Sequence, residues 1–371
     1  MIEELIQCEC VKIGNFKLKS GVTSKYYFDM KHLISYPNLL KKIGDEIYKK
    51  LDNFDIICGI PYGGLPIASY ISTTYNKPMI LLRDKTKDYG LQNRIEGNYS
   101  IDDKCVIIDD VITSGKSIQE AIDYLHDKVN IVKCMVIFDR QQNYETTMNV
   151  DCLLCKTDIV KYRLNKIKQE KNSDLCFSAD LSDYDKLWNI IETIGNIMTV
   201  CKIHYDTVDE SYRNTFKEKI IELSIKHNFL IMEDRKFNDI SYIVKKQYKL
   251  FESWVDMVTV HTLVTPEVIK SLSGVLLVAN MSNNDYDFSS KAIHLAINNK
   301  PHVVGFISQR RLHDDFICMT PGLSFINKII NDQKHREISE VDTDFKIIGR
   351  AIYNSKDLIS DIKTYLDNNE L

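Results

Sequence analysis

Eight short apolar runs in the second half of the chain, at residues 175–179, 198–202, 229–233, 257–260, 275–279, 303–307, 317–319 and 345–348, constrain the fold more than any other feature. Helix-period sequence separates most of them. Strand-like runs alternating with helical segments favour parallel strands joined by crossover helices over bundles or sandwiches. Eight such strands in roughly 200 residues predict a small (β/α)8 barrel, the TIM-barrel architecture. The residues at the tails of the runs say more than their number. Asp180, Lys202 with His204, Asp234 with Lys236, His261, Ser282 and Arg350 stand at or just past a strand's C-terminal end. That is the face where such barrels keep their chemistry.

The first half has five runs of the same kind, at 56–61, 79–83, 105–110, 131–138 and 150–155. With their intervening helices they suit an open, doubly wound sheet, which binds ligands at the carboxyl ends of its strands. Both halves are therefore α/β. Two domains are also what 371 residues suggest, and 44% apolar residues can fill two cores. Between the halves, KTDIVKYRLNKIKQEKNSD (156–174) has a rough helical period and lacks the Gly, Ser or Pro of a loose tether. The expected domains are 1–155 and 156–371.

Charge narrows the partners. The 48 Lys and Arg nearly balance the 52 Asp and Glu, so no bulk field favours nucleic acid or an anionic membrane, and any bound anion must be held locally. Apolar stretches such as 274–279 are far shorter than the roughly 20 residues of a membrane span, and MIEELIQCEC lacks a signal pattern. The ten cysteines fall mostly within apolar runs, as reduced core thiols do. The one C-x-x-C, Cys152 to Cys155, has no second ligand pair near it, which argues against zinc. These features predict a cytoplasmic protein.

In the first half, CVIIDDVITSGKS (105–117) runs from an apolar strand through two carboxylates into a turn that opens a helix. Asp109 and Asp110 can hold ribose hydroxyls, directly or through a metal. The turn's amides with the hydroxyls of Thr113, Ser114 and Ser117 can hold a phosphate at the helix N-terminus. A serine cap alone would not call for adjacent acids, and the spacing is not that of a Walker loop. The segment resembles the phosphoribosyl pyrophosphate motif of type I phosphoribosyltransferases. FKLKSG (16–21), SKYYFD (24–29), GIPYGGLPIA (59–68), KDYG (87–90) and FDRQQ (138–142) resemble the orotate phosphoribosyltransferase family in particular. The resemblance implies that Lys19 and Arg140 pair with orotate and that Phe28 packs on its ring. It also implies that Tyr62, Arg83 and the catalytic Lys87 face the pyrophosphate, that Gly115 completes the phosphate turn, and that Mg2+ enters on phosphoribosyl pyrophosphate near Asp109 and Asp110. Singly, these bases would read as solvated surface charges; the motif context gives them roles.

In the second half, FLIMEDRKFNDI (229–240) ends an apolar strand in Asp234, Lys236 and Asp239, with Lys202 ending the strand before it. Alternating signs can hold one another ionised where single buried charges could not persist. D-x-K-x-x-D after such a strand resembles orotidine 5'-monophosphate decarboxylase, together with LCFSADLS (175–182), TPG (320–322) and IIGRAIY (347–353). The resemblance implies that Lys236 stabilises and protonates a carbanion at C6, with Asp234 beside the departing carboxylate and Lys202 orienting it. Asp239 would reach a neighbouring subunit's site. Asp180 and His204 would bind ribose, Ser282 the pyrimidine, and Gln333, Gly349 and Arg350 the 5'-phosphate. No cofactor is implied for this half.

Together the halves resemble the bifunctional uridine 5'-monophosphate synthase family. This implies orotate, phosphoribosyl pyrophosphate, orotidine 5'-monophosphate and uridine 5'-monophosphate as ligands, and a homodimer or higher homo-oligomer. Departures from the family pattern are Asp84 before Lys85, where a pyrophosphate-binding lysine is expected, and Ser24-Lys25 and Tyr89, from which little effect is expected. Others are Ser241-Tyr242-Ile243 in place of Gly-Asn-Thr, and Asn280 ahead of a short loop. They leave open an alternative in which one domain has decayed to ligand binding or regulation.

Overall fold

The computed structural model describes residues 1–17, 23–83, 94–142, 144–281, 286–324, 329–330, 333–334, 336–337 and 341–367. The chain divides into two compact units, Met1–Ile13 with Tyr26–Lys156, and Gly14–Lys25 with Thr157–Leu371. This differs from a single cut after residue 155 in that Gly14–Lys25 clusters with the second unit.

The first unit holds a six-stranded sheet in the order Ile95–Glu96, Met79–Leu82, Ile56–Gly59, Lys104–Ile112, Asn130–Asp139, Val150–Cys155. All pairs are parallel except the one made by Ile95–Glu96. The five expected strands are present, and the two-residue edge strand is an addition. Connections leave Ile56–Gly59 toward one edge and Lys104–Ile112 toward the other, so the strand order reverses between these neighbours. A crevice forms at their carboxyl ends, where doubly wound sheets bind ligands. The loop after Ile56–Gly59 carries Gly63 and Gly64, and the end of Lys104–Ile112 carries Asp109 and Asp110.

The second unit contains a closed parallel barrel of the strands Leu175–Ser178, Met198–Ile203, Leu230–Phe237, Met257–His261, Val275–Val278, Val303–Ile307, Ile317–Thr320 and Phe345–Ile348. All eight expected strands are there. Alternation along each strand splits the apolar residues into two layers. Cys176, Val200, Leu230, Met232, Leu276 and Ile347 belong to the inner cluster, whereas Phe177, Cys201, Ile231 and Leu277 face the helices. Lys202 and Asp234 continue the inward parity of Val200 and Met232. The segment expected to be helical is the helix Lys156–Lys171, whose Val160, Leu164 and Ile167 join the inner cluster. Among the described residues no helix is long and apolar enough to cross a membrane.

Lys25 corrects the expectation that Ser24-Lys25 matters little. Its Nζ lies 2.6 Å from Asp256 Oδ2 and 2.9 Å from Ser224 Oγ, with the lysine side chain 2% exposed and the aspartate fully buried. Asp256 also accepts the Ile231 amide at 2.7 Å, at the start of a barrel strand. Arg163 Nη1 stands farther off, 3.9 Å from Asp256 Oδ1, so Lys25→Ala removes the nearer of two buried cations and is expected to destabilise the second unit by about 2 kcal/mol, less than the loss of a sole partner. Denaturant melts followed by tryptophan fluorescence test this, since Trp188 and Trp254 both lie in that unit. A loss below about 0.5 kcal/mol would show that the pair behaves like a solvated one.

Candidate active site

Four charged side chains converge on the barrel's C-terminal rim. Asp234 Oδ2 lies 2.8 Å from Lys236 Nζ and 3.1 Å from Lys202 Nζ. Lys202 Nζ is also 3.4 Å from Asp180 Oδ1 and 3.1 Å from His204 Nε2. They line a cavity of about 240 Å³ together with Ser178, Asn280, Gly349, Arg350 and Tyr353. Burial alone would raise the Asp234 carboxyl, but the ammonium groups of Lys202 and Lys236 outweigh it and hold the acid at about 2. Burial likewise pulls Lys202 down, and Asp234 with Asp180 pushes it above its ordinary value. His204 is lowered, by burial first and by Lys202 second. The rim thus holds an ionised carboxylate against an ionised Lys202, beside an imidazole biased to the neutral form. Such an arrangement suits a substrate on which negative charge moves during reaction.

In the first unit the acidic pair closes the crevice. Asp109 and Asp110 are both buried, and Asp109 is raised by burial first and by Asp110 second. Lys31 Nζ stands 3.6 Å from Asp110 Oδ2. A Cβ at position 63 would fall 2.1 Å from the Asp110 carboxyl carbon, so only glycine lets this loop approach the acid. Asp109 and residues 111–118 line a smaller cavity of about 100 Å³ at the N-terminus of the helix Lys116–Leu125. Gly115 opens that helix at φ 77°, which favours glycine. Phe28 stacks on Phe138 at 4.4 Å between centroids, and the Arg140 guanidinium sits 5.4 Å from the Phe28 ring.

Comparison with known proteins decides the relationship. Residues 173–365 match the model of the orotidine 5'-phosphate decarboxylase / HUMPS family. The chain belongs to this family. Residues 30–163 match the phosphoribosyl transferase domain, so a second family module precedes the decarboxylase-family barrel. Uridine 5'-monophosphate synthase of Bos taurus is 29% identical, across 98% of this chain and 95% of its own length. The orotidine 5'-phosphate decarboxylase of Pichia kudriavzevii is 34% identical, over 56% of this chain and 91% of its own length. The orotate phosphoribosyltransferase of Methanocaldococcus jannaschii is 37% identical, over 38% of this chain and 81% of its own length.

Within the decarboxylase-family barrel, Asp180, Lys202, His204, Asp234, Lys236, Gly349 and Arg350 are brought together as expected. Asp239 is exposed and is not among the residues lining that cavity; its Oδ1 accepts the Ile240 amide. Ser282 lies outside the described residues, and Gln333 is described only as backbone of the strand Gln333–Lys334. In the transferase module, Asp109, Thr113, Ser114, Gly115 and Ser117 share one cavity, and Phe28 meets Arg140. Tyr62 is 73% exposed, and the Arg83 guanidinium is engaged by Glu96 at 2.6 Å. Lys19, Asp84, Lys87 and Tyr89 lie outside the described residues.

Two residues of the barrel rim escaped sequence reading. Thr259 Oγ1 donates to Asp234 Oδ1 at 2.8 Å. Glu233, fully buried on the other face of the strand, accepts the Tyr205 amide at 3.0 Å and so ties the chain just past His204 to the strand of Asp234. Burial raises its carboxyl to about 8. Strand parity is the signal that could have flagged Glu233, as an acid pointing into the apolar layer between strands and helices.

Proposed function

We propose that the chain makes uridine 5'-monophosphate from orotate in two steps, phosphoribosyl transfer in the first unit and decarboxylation in the second. The observation that carries this reading is the Lys202–Asp234–Lys236 array on the rim of a decarboxylase-family barrel, in a chain that also has a phosphoribosyl transferase module. In the second step the bond from C6 to the carboxylate breaks and its electron pair stays at C6. Lys236 Nζ stabilises that charge and donates a proton to the same carbon. Asp234 stands where the departing carboxylate would lie, and Lys202 keeps Asp234 ionised and oriented. Asp180 and His204 reach the ribose, and Arg350 with Gly349 and Gln333 the 5'-phosphate, whose binding can close the site around the reacting atoms. Ser282 is assigned to the pyrimidine. In this reading the second unit works with side chains alone.

In the first step N1 of orotate displaces pyrophosphate from the ribose. Phe28 and Arg140 form a wall for the base, and Lys19 is assigned to orotate as well, while Thr113, Ser114, Gly115 and Ser117 take the 5'-phosphate. Tyr62, Arg83 and Lys87 are assigned to the pyrophosphate. The hard oxygen donors of Asp109 and Asp110, too few for an all-protein cage, fit a magnesium ion carried mainly by its substrate. When bound, that ion supplies charge neutralisation for the leaving pyrophosphate.

A homodimer is part of this reading. Ile240, Tyr242 and Leu263 are each more than half exposed beside the barrel rim, and an apolar group of this kind supports a two-fold contact that carries Asp239 into the partner's site. The ten cysteines, nine of them buried, support a cytoplasmic location. The test is a pair of assays on the purified protein with Mg2+. Orotate with phosphoribosyl pyrophosphate is expected to yield uridine 5'-monophosphate and carbon dioxide, and supplied orotidine 5'-monophosphate to yield the same products without phosphoribosyl pyrophosphate. Failure of either half alone would leave the chain monofunctional.

A further inference from the structure

The strand that carries Asp234 and Lys236 is irregular where it matters most. It pairs with the next strand as Met232 with Met257 and Glu233 with Val258, and pairing resumes only at Phe237 with Val260. Residues 234–236 thus bulge opposite a single residue, Thr259. Lys236 itself has φ 51°, a left-handed conformation that a lysine seldom adopts without support from its surroundings.

Support comes from one hydroxyl. Thr259 Oγ1 accepts the Lys236 amide at 2.9 Å and donates to Asp234 Oδ1 at 2.8 Å. The threonine is fully buried. A hydroxyl has one proton to donate and lone pairs to accept with, so both bonds are made at once. The other Asp234 oxygen is left for Lys236 Nζ and Lys202 Nζ. We infer that Thr259 is a positioning residue for decarboxylation, its single hydroxyl fixing both the plane of the Asp234 carboxylate and the backbone turn that aims Lys236. It acts through these two residues and touches no substrate atom.

The inference rests on the decarboxylase reading, and its test separates the two. Thr259→Val keeps the shape and removes the hydroxyl; Thr259→Ser keeps the hydroxyl. With supplied orotidine 5'-monophosphate, Thr259→Val is expected to lower kcat about a hundredfold, the scale of a small misplacement of reacting groups, and to leave the affinity for uridine 5'-monophosphate within about threefold. Thr259→Ser is expected to stay within about fivefold of wild type in kcat. Hydrogen exchange at the Lys236 amide reads the geometry without catalysis. It is expected to quicken by about tenfold or more in the valine protein and to be unchanged in the serine protein. A wild-type protein with no decarboxylase activity would overturn the functional reading, while the exchange at Lys236 would still decide the role of Thr259. Wild-type kcat or unchanged exchange in Thr259→Val, equal losses in the two variants, or a matching loss of uridine 5'-monophosphate binding would each overturn the inference.

Discussion

A Lys236→Ala protein is expected to lose about four orders of magnitude or more in decarboxylation of supplied orotidine 5'-monophosphate, because one ammonium group has two tasks there. As a positioned acid it is worth roughly 10²–10⁴. As a charge facing the developing carbanion it adds roughly 10²–10³, most of it in the same step. The loss should fall on kcat more than on KM, since the groups assigned to ribose and phosphate stay in place. Phosphoribosyl transfer to orotate should be unaffected, so orotidine 5'-monophosphate should accumulate. Asp110→Asn is the reciprocal case. It removes one of two adjacent buried acids at the crevice of the first unit, and should cut phosphoribosyl transfer severely while supplied orotidine 5'-monophosphate is decarboxylated at the wild-type rate. Parallel assays of both half reactions on both proteins check this. Loss of decarboxylation in a folded Asp110→Asn protein would sink the assignment of the two steps to separate sites.

How far such assignments can be read from sequence depends on where the physical cause lies. The barrel strands are legible because they are continuous apolar runs, and the residues just beyond them are legible because polar groups there have nowhere to go but the rim. Ile95–Glu96 is not, since two residues carry no period. Lys25 looks like any surface lysine. Asp256, 231 positions away, and Ser224, 199 away, make its burial tolerable, and nothing local announces those partners. Thr259 is the hardest case. A threonine within VTVH is an ordinary strand former, and its role arises from a bulge in the neighbouring strand, which sequence spacing does not encode. In the first unit, GIPYGG suggests a tight loop, but only the structure adds that a side chain at Gly63 would strike Asp110. Arg83 shows the opposite limit, because a motif position fixes its identity without fixing its partner, and in this structure that partner is Glu96.

Asp239 permits a sharper test, because its proposed role depends on assembly. The residue follows Asp234 by five positions, yet it is exposed while Asp234 is held in the cavity. If it completes the site of a two-fold partner, Asp239→Ala and Lys236→Ala should each be nearly inactive as decarboxylases, since either change spoils every site of its own homodimer. Mixing the two proteins alters the count. In a heterodimer one site carries both defects, and the other takes an intact Lys236 from one chain and an intact Asp239 from its partner. That second site should work at the full rate. After random re-association about half the dimers are mixed and each has one working site of two, so the mixture should recover about a quarter of wild-type activity. Native mass spectrometry establishes that heterodimers have formed, and the decarboxylase assay is then run on the same sample. Recovery well below a quarter in a sample rich in heterodimers would mean that Asp239 acts within its own chain or has no part in the reaction. The exposed Ile240, Tyr242 and Leu263 would then need a different explanation.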